Sequence, residues 1–331
     1  MTNTSKTTAD SGFARAAHSE PVIGVDVGGT KMAVAVLDGP TLRPARLRRT
    51  DTRTPEGLLD QLVTAIGEAG DAVAVGVAVP SVVDFETGRV RSSVNIPLAD
   101  VPLRAVLRER LGVPVFVDND ATCAALAEAY DDEGELLARH LVMLTIGTGV
   151  GGGIVIDGRI YRGATGAAAE VGHTIVGADL RAAPFAHSVD SPQPGSLESL
   201  ASGRALNELA HDHGVPPGTV IDRALEGDTG ALAALELLGR RLGVGIANAI
   251  NTFDPDLVVV GGGVSAAGDL LLAPAREEAA RFTLPGVGTR TQICQARYGP
   301  QAGVRGAALL AAQEIDTTKE DATSRGGHRT R

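Results

Sequence analysis

Two stretches of this 331-residue chain share one design. Residues 22–38 read VIGVDVGGTKMAVAVLD, and residues 141–157 read LVMLTIGTGVGGGIVID. In each, an apolar run breaks at a cluster of Gly and Thr and then resumes, the pattern of a strand, a tight turn and a returning strand. Glycine has no Cβ, so the backbone N–H groups of such turns can face an anion and approach it closely. Two of them in one chain point to a nucleotide phosphate tail held between two related domains. The length agrees, since it exceeds the size at which one core usually stops growing.

Composition removes several function classes. A net charge of −10 and an isoelectric point near 5.2 argue against a nucleic-acid binder, which needs a basic face for phosphates. Arg43, Arg46, Arg48 and Arg49 form a local basic run that a solvated strand explains. Cys123 and Cys294 stand alone, in no CxxC spacing, so neither a disulfide framework nor a cysteine zinc site is encoded, and a reducing cytoplasmic location is expected. Residues 1–20 are polar and carry no signal-peptide core, and no stretch is long and apolar enough for a membrane span. They read as a disordered extension. Lysine is rare: Lys6 and Lys319 fall in polar terminal segments, which leaves Lys31 beside the first glycine turn. A compact ammonium suits a phosphate as a point charge.

The pattern predicts a third strand over residues 43–50, a helix over 55–69 and a buried strand over 72–79. A turn follows at 86–89, then a helix over 102–111 and a strand over 113–117. A helix is expected over 121–130, and a glycine-punctuated loop from 163 to 199. Further helices are expected over 204–211, 217–226, 229–252 and 269–281, with a strand over 257–260. An Ala-rich helix over 303–313 ends the folded part, and 314–331 reads as a disordered tail. This is a mixed α/β fold. No helix-turn-helix precedes the first strand, which weakens a repressor reading.

Asp26 ends an apolar strand just before Gly28, Gly29, Thr30 and Lys31. A carboxylate there could hold magnesium through water beside phosphates, although a plain hairpin turn gives the same pattern. Gly147, Thr148, Gly149 and Gly151 belong to a run with five glycines in seven positions, a density costing roughly 1 kcal/mol per residue unless backbone approach to a ligand requires it. Gly261, Gly262 and Gly263 follow a strand in the same manner. Asp120 could take the proton of an attacking hydroxyl while Asn119 holds a neighbouring one. Capping of the following helix is the competing account of the pair. Glu170, His173 and Glu198 add hydrogen-bonding groups suited to a polyol, and a histidine in a purely structural role remains open.

Together these residues resemble the ROK family of repressors, open reading frames and sugar kinases. The similarity covers residues 21–313 through DVGGTK (26–31), VDNDA (117–121), IGTGVGGG (146–153), EVGH (170–173), LES (197–199) and VVVGGGVS (258–265). The resemblance implies a two-domain actin-like ATPase (ribonuclease H-like) α/β fold with an interdomain cleft. A small domain would span 21–119, completed by the helix at 303–313, and a large one 120–302. It implies an ATP-dependent hexose kinase, most simply a glucokinase, with Mg2+ as cofactor. Asp120 matches the general base, Asn119, Glu170, His173 and Glu198 the sugar ligands, and the glycine segments the ATP contacts. Association as a homodimer or homotetramer is also implied.

The chain departs from the family twice. Many members carry a CxCGxxGC zinc motif before the LE pair, whereas residues 189–196 here read VDSPQPGS. No structural zinc is therefore expected, and His187, His211 and His213 make no substitute set. Pro80-Ser81 also stands where the family often has Pro-Gly near the sugar. The altered loop keeps open a kinase for an amino or N-acetylated hexose, such as kanosamine, N-acetylglucosamine or N-acetylmannosamine. A non-catalytic sugar sensor is the reading from another class. The related polyphosphate-dependent glucokinases typically read GGSGIK at the first turn; GGTKMA here favours ATP.

Overall fold

The computed structural model describes residues 20–93, 95–177 and 192–326. The expected N-terminal extension up to residue 19, His187 and residues 189–191 lie outside them. The first half opens with β1 (Val22–Val27) and β2 (Lys31–Asp38), followed by β3 (Thr41–Leu42), β4 (Arg46–Arg49) and α1 (Pro55–Ala69). Then come β5 (Val75–Val79), β6 (Ser81–Asp84), β7 (Arg89–Ser93), α2 (Leu103–Leu111), β8 (Val115–Asn119) and α3 (Asp120–Ala129). Five of these strands run in the order β3-β2-β1-β5-β8, with β4 also paired to β2. β1 is antiparallel to β2 and parallel to β5, which is parallel to β8.

The second half repeats that plan. β9 (Leu141–Ile146) and β10 (Val150–Ile156) form the hairpin, extended by β11 (Arg159–Ile160). After α4 (Leu197–Ala201), α5 (Gly203–His211), α6 (Val220–Leu225) and α7 (Thr229–Phe253), β12 (Leu257–Gly261) adds in parallel to β9. α8 (Asp269–Phe282) leads to β13 (Gln292–Gln295), parallel to β12. The two sheets thus share an antiparallel hairpin whose first strand is extended by two parallel strands. The duplicated sequence unit is the seed of both.

The final helix, α9 (Ala302–Gly326), leaves the second sheet and packs on β1, β5 and α3. Small residues permit this. A Cβ at Gly306 would fall on the Cys123 carbonyl in α3, and one at Gly24 or Gly76 would fall on the α9 backbone. α9 continues past residue 313, where a tail was expected, because its polar face has partners. Arg159 donates to Glu314 at 3.4 Å and to Thr317 at 3.3 Å. Lys319 therefore lies on this helix and not in a tail. The sequence pattern also missed the β6-β7 hairpin, whose strands are short and half polar, and β13.

Among the described residues no helix is long and apolar enough to cross a membrane. Gly306→Ala is expected to lower stability by about 1 to 3 kcal/mol, because the added methyl group has to push α9 off the Cys123 carbonyl. Thermal unfolding measures this; an unchanged midpoint would show that the two helices do not need their close approach.

Candidate active site

A cleft of about 1070 Å³ lies where the two sheets, the β6-β7 hairpin and the start of α9 converge. Asp26, Asn119, Asp120, Glu170, His173 and Glu198 line it, as do Gly147, Thr148, Gly149, Gly151 and Gly261, Gly262, Gly263. Residues spread over nearly the whole chain are thereby brought together. Gly28, Gly29, Thr30 and Lys31 do not line it. They form an exposed turn closed by Gly28 N–H to Lys31 O (2.9 Å) and braced by the Thr50 hydroxyl on Gly28 O (2.7 Å). Gly29 nonetheless lies against Asn95, a residue of the cleft wall.

Asp26 sits near the end of β1, opposite Ala33 in β2 and Ala78 in β5. Burial first, and then the Asp120 carboxylate, push its carboxyl up to about 6, against the pull of Lys31. Asp120 opens α3, where burial also raises its carboxyl; the Ala121 N–H it accepts at 2.8 Å works the other way. Two carboxyl groups that resist ionisation at close range make a site for a cation or a proton. Asn119 is the N-cap of α3, its side-chain oxygen accepting from Thr122 N–H at 3.1 Å. The capping account therefore holds for Asn119, whereas Asp120, which accepts the neighbouring Ala121 N–H, does not make the capping bond.

Glu198 is tied down by both oxygens, accepting from Val150 N–H at 2.9 Å and from Arg204 at 3.1 Å. Arg204, which also reaches the Thr148 carbonyl at 3.3 Å, was not singled out in the sequence because its partners lie in another element. Glu170 and His173 are exposed, 3.8 Å apart on a single helical turn at 171–173. Ala169, just before them, holds a positive φ of 70°. That strained residue fixes where the two side chains emerge.

The glycine run divides by task. A Cβ at Gly151 would stand 2.7 Å from the Thr145 hydroxyl, and one at Gly153 would stand 2.7 Å from the Ala121 carbonyl, so packing requires both. A Cβ at Gly147 or Gly263 would meet nothing. At these two positions the protein leaves open space along the cleft, as close approach of a ligand to the backbone needs. Gly262 combines a φ of 84° with contact to the Ile146 backbone, which no side chain would tolerate.

Behind Asp120, Asp118 is buried at 4% side-chain exposure and accepts from Arg162 at 2.7 Å. Arg162 stacks on Phe85 of the β6-β7 connection, 3.4 Å from the ring centre, and donates to Glu314 of α9 at 3.3 Å. Asp118 in turn accepts the Asn119 N–H at 2.9 Å. One guanidinium thus joins the strand end, the hairpin, the second sheet's connection and α9. Arg162 was not identified from sequence, because nothing local distinguishes it, and Asp118 was read only as part of the VDNDA motif, without its arginine partner.

The ROK family sequence model matches residues 22–314, nearly all of the described chain. The chain belongs to the ROK family. Among curated relatives of this ROK protein, a glucokinase of Halalkalibacterium halodurans is 33% identical over 325 residues, covering 90% of this chain and 97% of that one. An N-acetyl-D-glucosamine kinase of Salmonella paratyphi B is 36% identical over 306 residues, covering 87% and 98%. Among solved structures, a ROK family glucokinase from Streptomyces griseus in complex with glucose and AMPPNP superposes with a TM-score of 0.72 at 33% identity, covering 88% of this chain and 99% of that one. The actin-like ATPase architecture expected from the motifs is thus the fold of this ROK protein.

Two predictions arise from the electrostatics. Asp26 ionises less readily folded than at its ordinary value of 3.8, so stability it favours below that value is lost as pH rises through about 6. Without ligands, Asp26→Asn is expected to gain thermal stability over the wild type above about pH 6 and not in acid; a pH-independent difference would contradict the raised carboxyl. Arg162→Ala leaves a buried carboxylate unpaired and is expected to cost about 3 kcal/mol near neutral pH. Adding Asp118→Asn should restore part of that loss in denaturant unfolding, and additive losses would show the pair to be uncoupled.

Proposed function

We propose that the protein is an ATP-dependent hexose kinase, a glucokinase transferring the γ-phosphoryl group of ATP to the C6 hydroxyl of glucose. The observation that carries this reading is Asp120: a carboxyl of raised proton affinity, free of the capping bond, lining a cleft together with Asp26 and two glycine turns. Asp120 accepts the proton of the sugar hydroxyl as its oxygen attacks the terminal phosphorus, the bond to the β-phosphate oxygen breaks, and ADP leaves. Raised affinity makes Asp120 a stronger base for that proton. Asn119, Glu170, His173 and Glu198 hold the remaining hydroxyls, with Glu198 kept in place by Val150 N–H and Arg204.

On the nucleotide side, the N–H groups around Gly147 and Gly263 contact the phosphates and nucleoside where no Cβ intervenes. The Gly28, Gly29, Thr30 and Lys31 turn reaches the phosphates from outside the cleft wall. Among the described residues no group of three or more His, Cys, Asp or Glu is placed to hold a metal. Mg2+ is commonly bound by one or two carboxylates and the substrate's phosphates. Asp26 would hold it, and the ion would neutralise charge on the transferring group.

The reading includes a small domain of residues 21–119 with 303–313 and a large domain of 120–302, a cytoplasmic location and a homodimer or homotetramer. The course of α9 back to β1 and β5 supports that division. A second reading, a kinase for an N-acetylated or amino hexose, draws on the N-acetyl-D-glucosamine kinase relative and the cysteine-free segment.

Sugar-dependent ADP release with MgATP, measured across glucose, mannose, glucosamine, kanosamine and the N-acetylhexosamines, tests both. Highest kcat/KM on glucose is expected; an N-acetylated or amino sugar optimum would transfer the assignment to the second reading, and turnover with no sugar would remove the kinase reading. Asp120→Ala is expected to lower kcat by about 10² to 10⁴-fold with the fold intact by circular dichroism. A near wild-type rate would take the base role from Asp120.

A further inference from the structure

The β6-β7 hairpin forms a cleft wall of its own, outside both main sheets. Ser81 and Ser93 are directly opposed in its ladder, so their side chains share one face. Both residues line the cleft, and both hydroxyl oxygens are buried without a hydrogen-bond partner. Ser81 as a whole is only 6% exposed. Among the described residues only two other side chains, Arg104 and Arg305, share this condition, and neither lines the cleft. A buried hydroxyl left unsatisfied is destabilising, and native proteins pair nearly all of them. Two opposed on one wall of a ligand-sized cavity call for a partner that enters the cavity.

Position and charge narrow that partner. The Ser81 carbonyl accepts from the Asn119 side chain at 3.4 Å, which ties this wall to the start of α3 beside Asp120. The neighbouring wall residues Val82, Ser92 and Asn95 carry no charge, whereas Asp120, Glu170 and Glu198 supply the carboxylates elsewhere in the cleft. A neutral wall of hydroxyls and amides suits an uncharged group that both donates and accepts, and offers nothing to pair an ammonium. Each hydroxyl needs only rotation about χ1 to turn toward the cavity.

We propose that Ser81 and Ser93 form a hydroxyl-recognising pair that contributes to sugar specificity, hydrogen-bonding one sugar hydroxyl other than the one phosphorylated. This rests on the kinase reading and adds to it two side chains that the sequence motifs did not include among the ligands.

The test is a kinetic cycle between variant and substrate. Ser81→Ala, Ser93→Ala and the double variant are assayed with glucose and with its 1-, 2-, 3- and 4-deoxy analogues. About a tenfold loss of kcat/KM on glucose is expected for at least one single variant, the size of one hydrogen bond. With one deoxy analogue that loss should vanish while persisting with the others, and Ser81→Thr, which keeps the hydroxyl, should retain more activity than Ser81→Ala. Equal fractional losses with every analogue, or no loss on glucose, would overturn the proposal and leave the hydroxyls to packing or water. Those outcomes require an active wild-type enzyme; a wild type that phosphorylates no sugar would instead sink the kinase reading. Thermal midpoints of the variants identify any that lose activity by unfolding.

Discussion

The ion pair between Arg162 and Asp118 is the contact on which the cleft depends. Asp118 gains a charge partner inside a region where an isolated carboxylate would be driven to take up a proton. Arg162 gains Asp118, Glu314 and the Phe85 ring at once. A planar guanidinium can make an in-plane ion pair while its face lies on an aromatic ring, which an ammonium cannot. The chain's strong preference for arginine over lysine supplies that geometry. Because Asp118 immediately precedes Asn119 and Asp120, anything that shifts the pair shifts the residues that face the cleft.

The two acids inside the cleft carry the same burden of burial that raises Asp118, without its arginine. Asp26 and Asp120 lack an equivalent buried cation, and each is made harder to ionise by burial, with Asp120 adding to the effect on Asp26. Stability is given up at this point, and that is characteristic of a site waiting for a charged ligand. The same division appears in the glycines. Gly153 and Gly306 are required by the protein's own packing, whereas Gly147 and Gly263 line the cleft with open space beside them.

Much of this was legible in the sequence because it is local. The paired strand-turn-strand units gave both sheets their first two strands, and helices such as Pro55–Ala69 and Thr229–Phe253 announced themselves by apolar spacing. The lining of the cleft by Asn119, Asp120, Glu170, His173 and Glu198 followed from motifs. What escaped depends on long-range contact. Arg162 acts through Asp118 and Glu314 and Arg204 through the Thr148 carbonyl, all distant in sequence, the β6-β7 hairpin is too short and polar to show a period, and α9 carries polar residues at Glu314 and Thr317 where Arg159 and Arg162 dock it. The first glycine turn was plain in its motif, and the structure places it just outside the residues that line the cleft, against Asn95 of its wall.

The central claim is that Asp120 stands beside the hydroxyl that receives the phosphoryl group. A crystal structure of the full chain with glucose and a non-hydrolysable ATP analogue tests it most directly. The account predicts an Asp120 carboxylate oxygen within about 2.6 to 3.2 Å of the C6 hydroxyl, with that hydroxyl facing the terminal phosphate. A sugar bound in the cleft with its C6 hydroxyl away from Asp120 and against another carboxylate would contradict it.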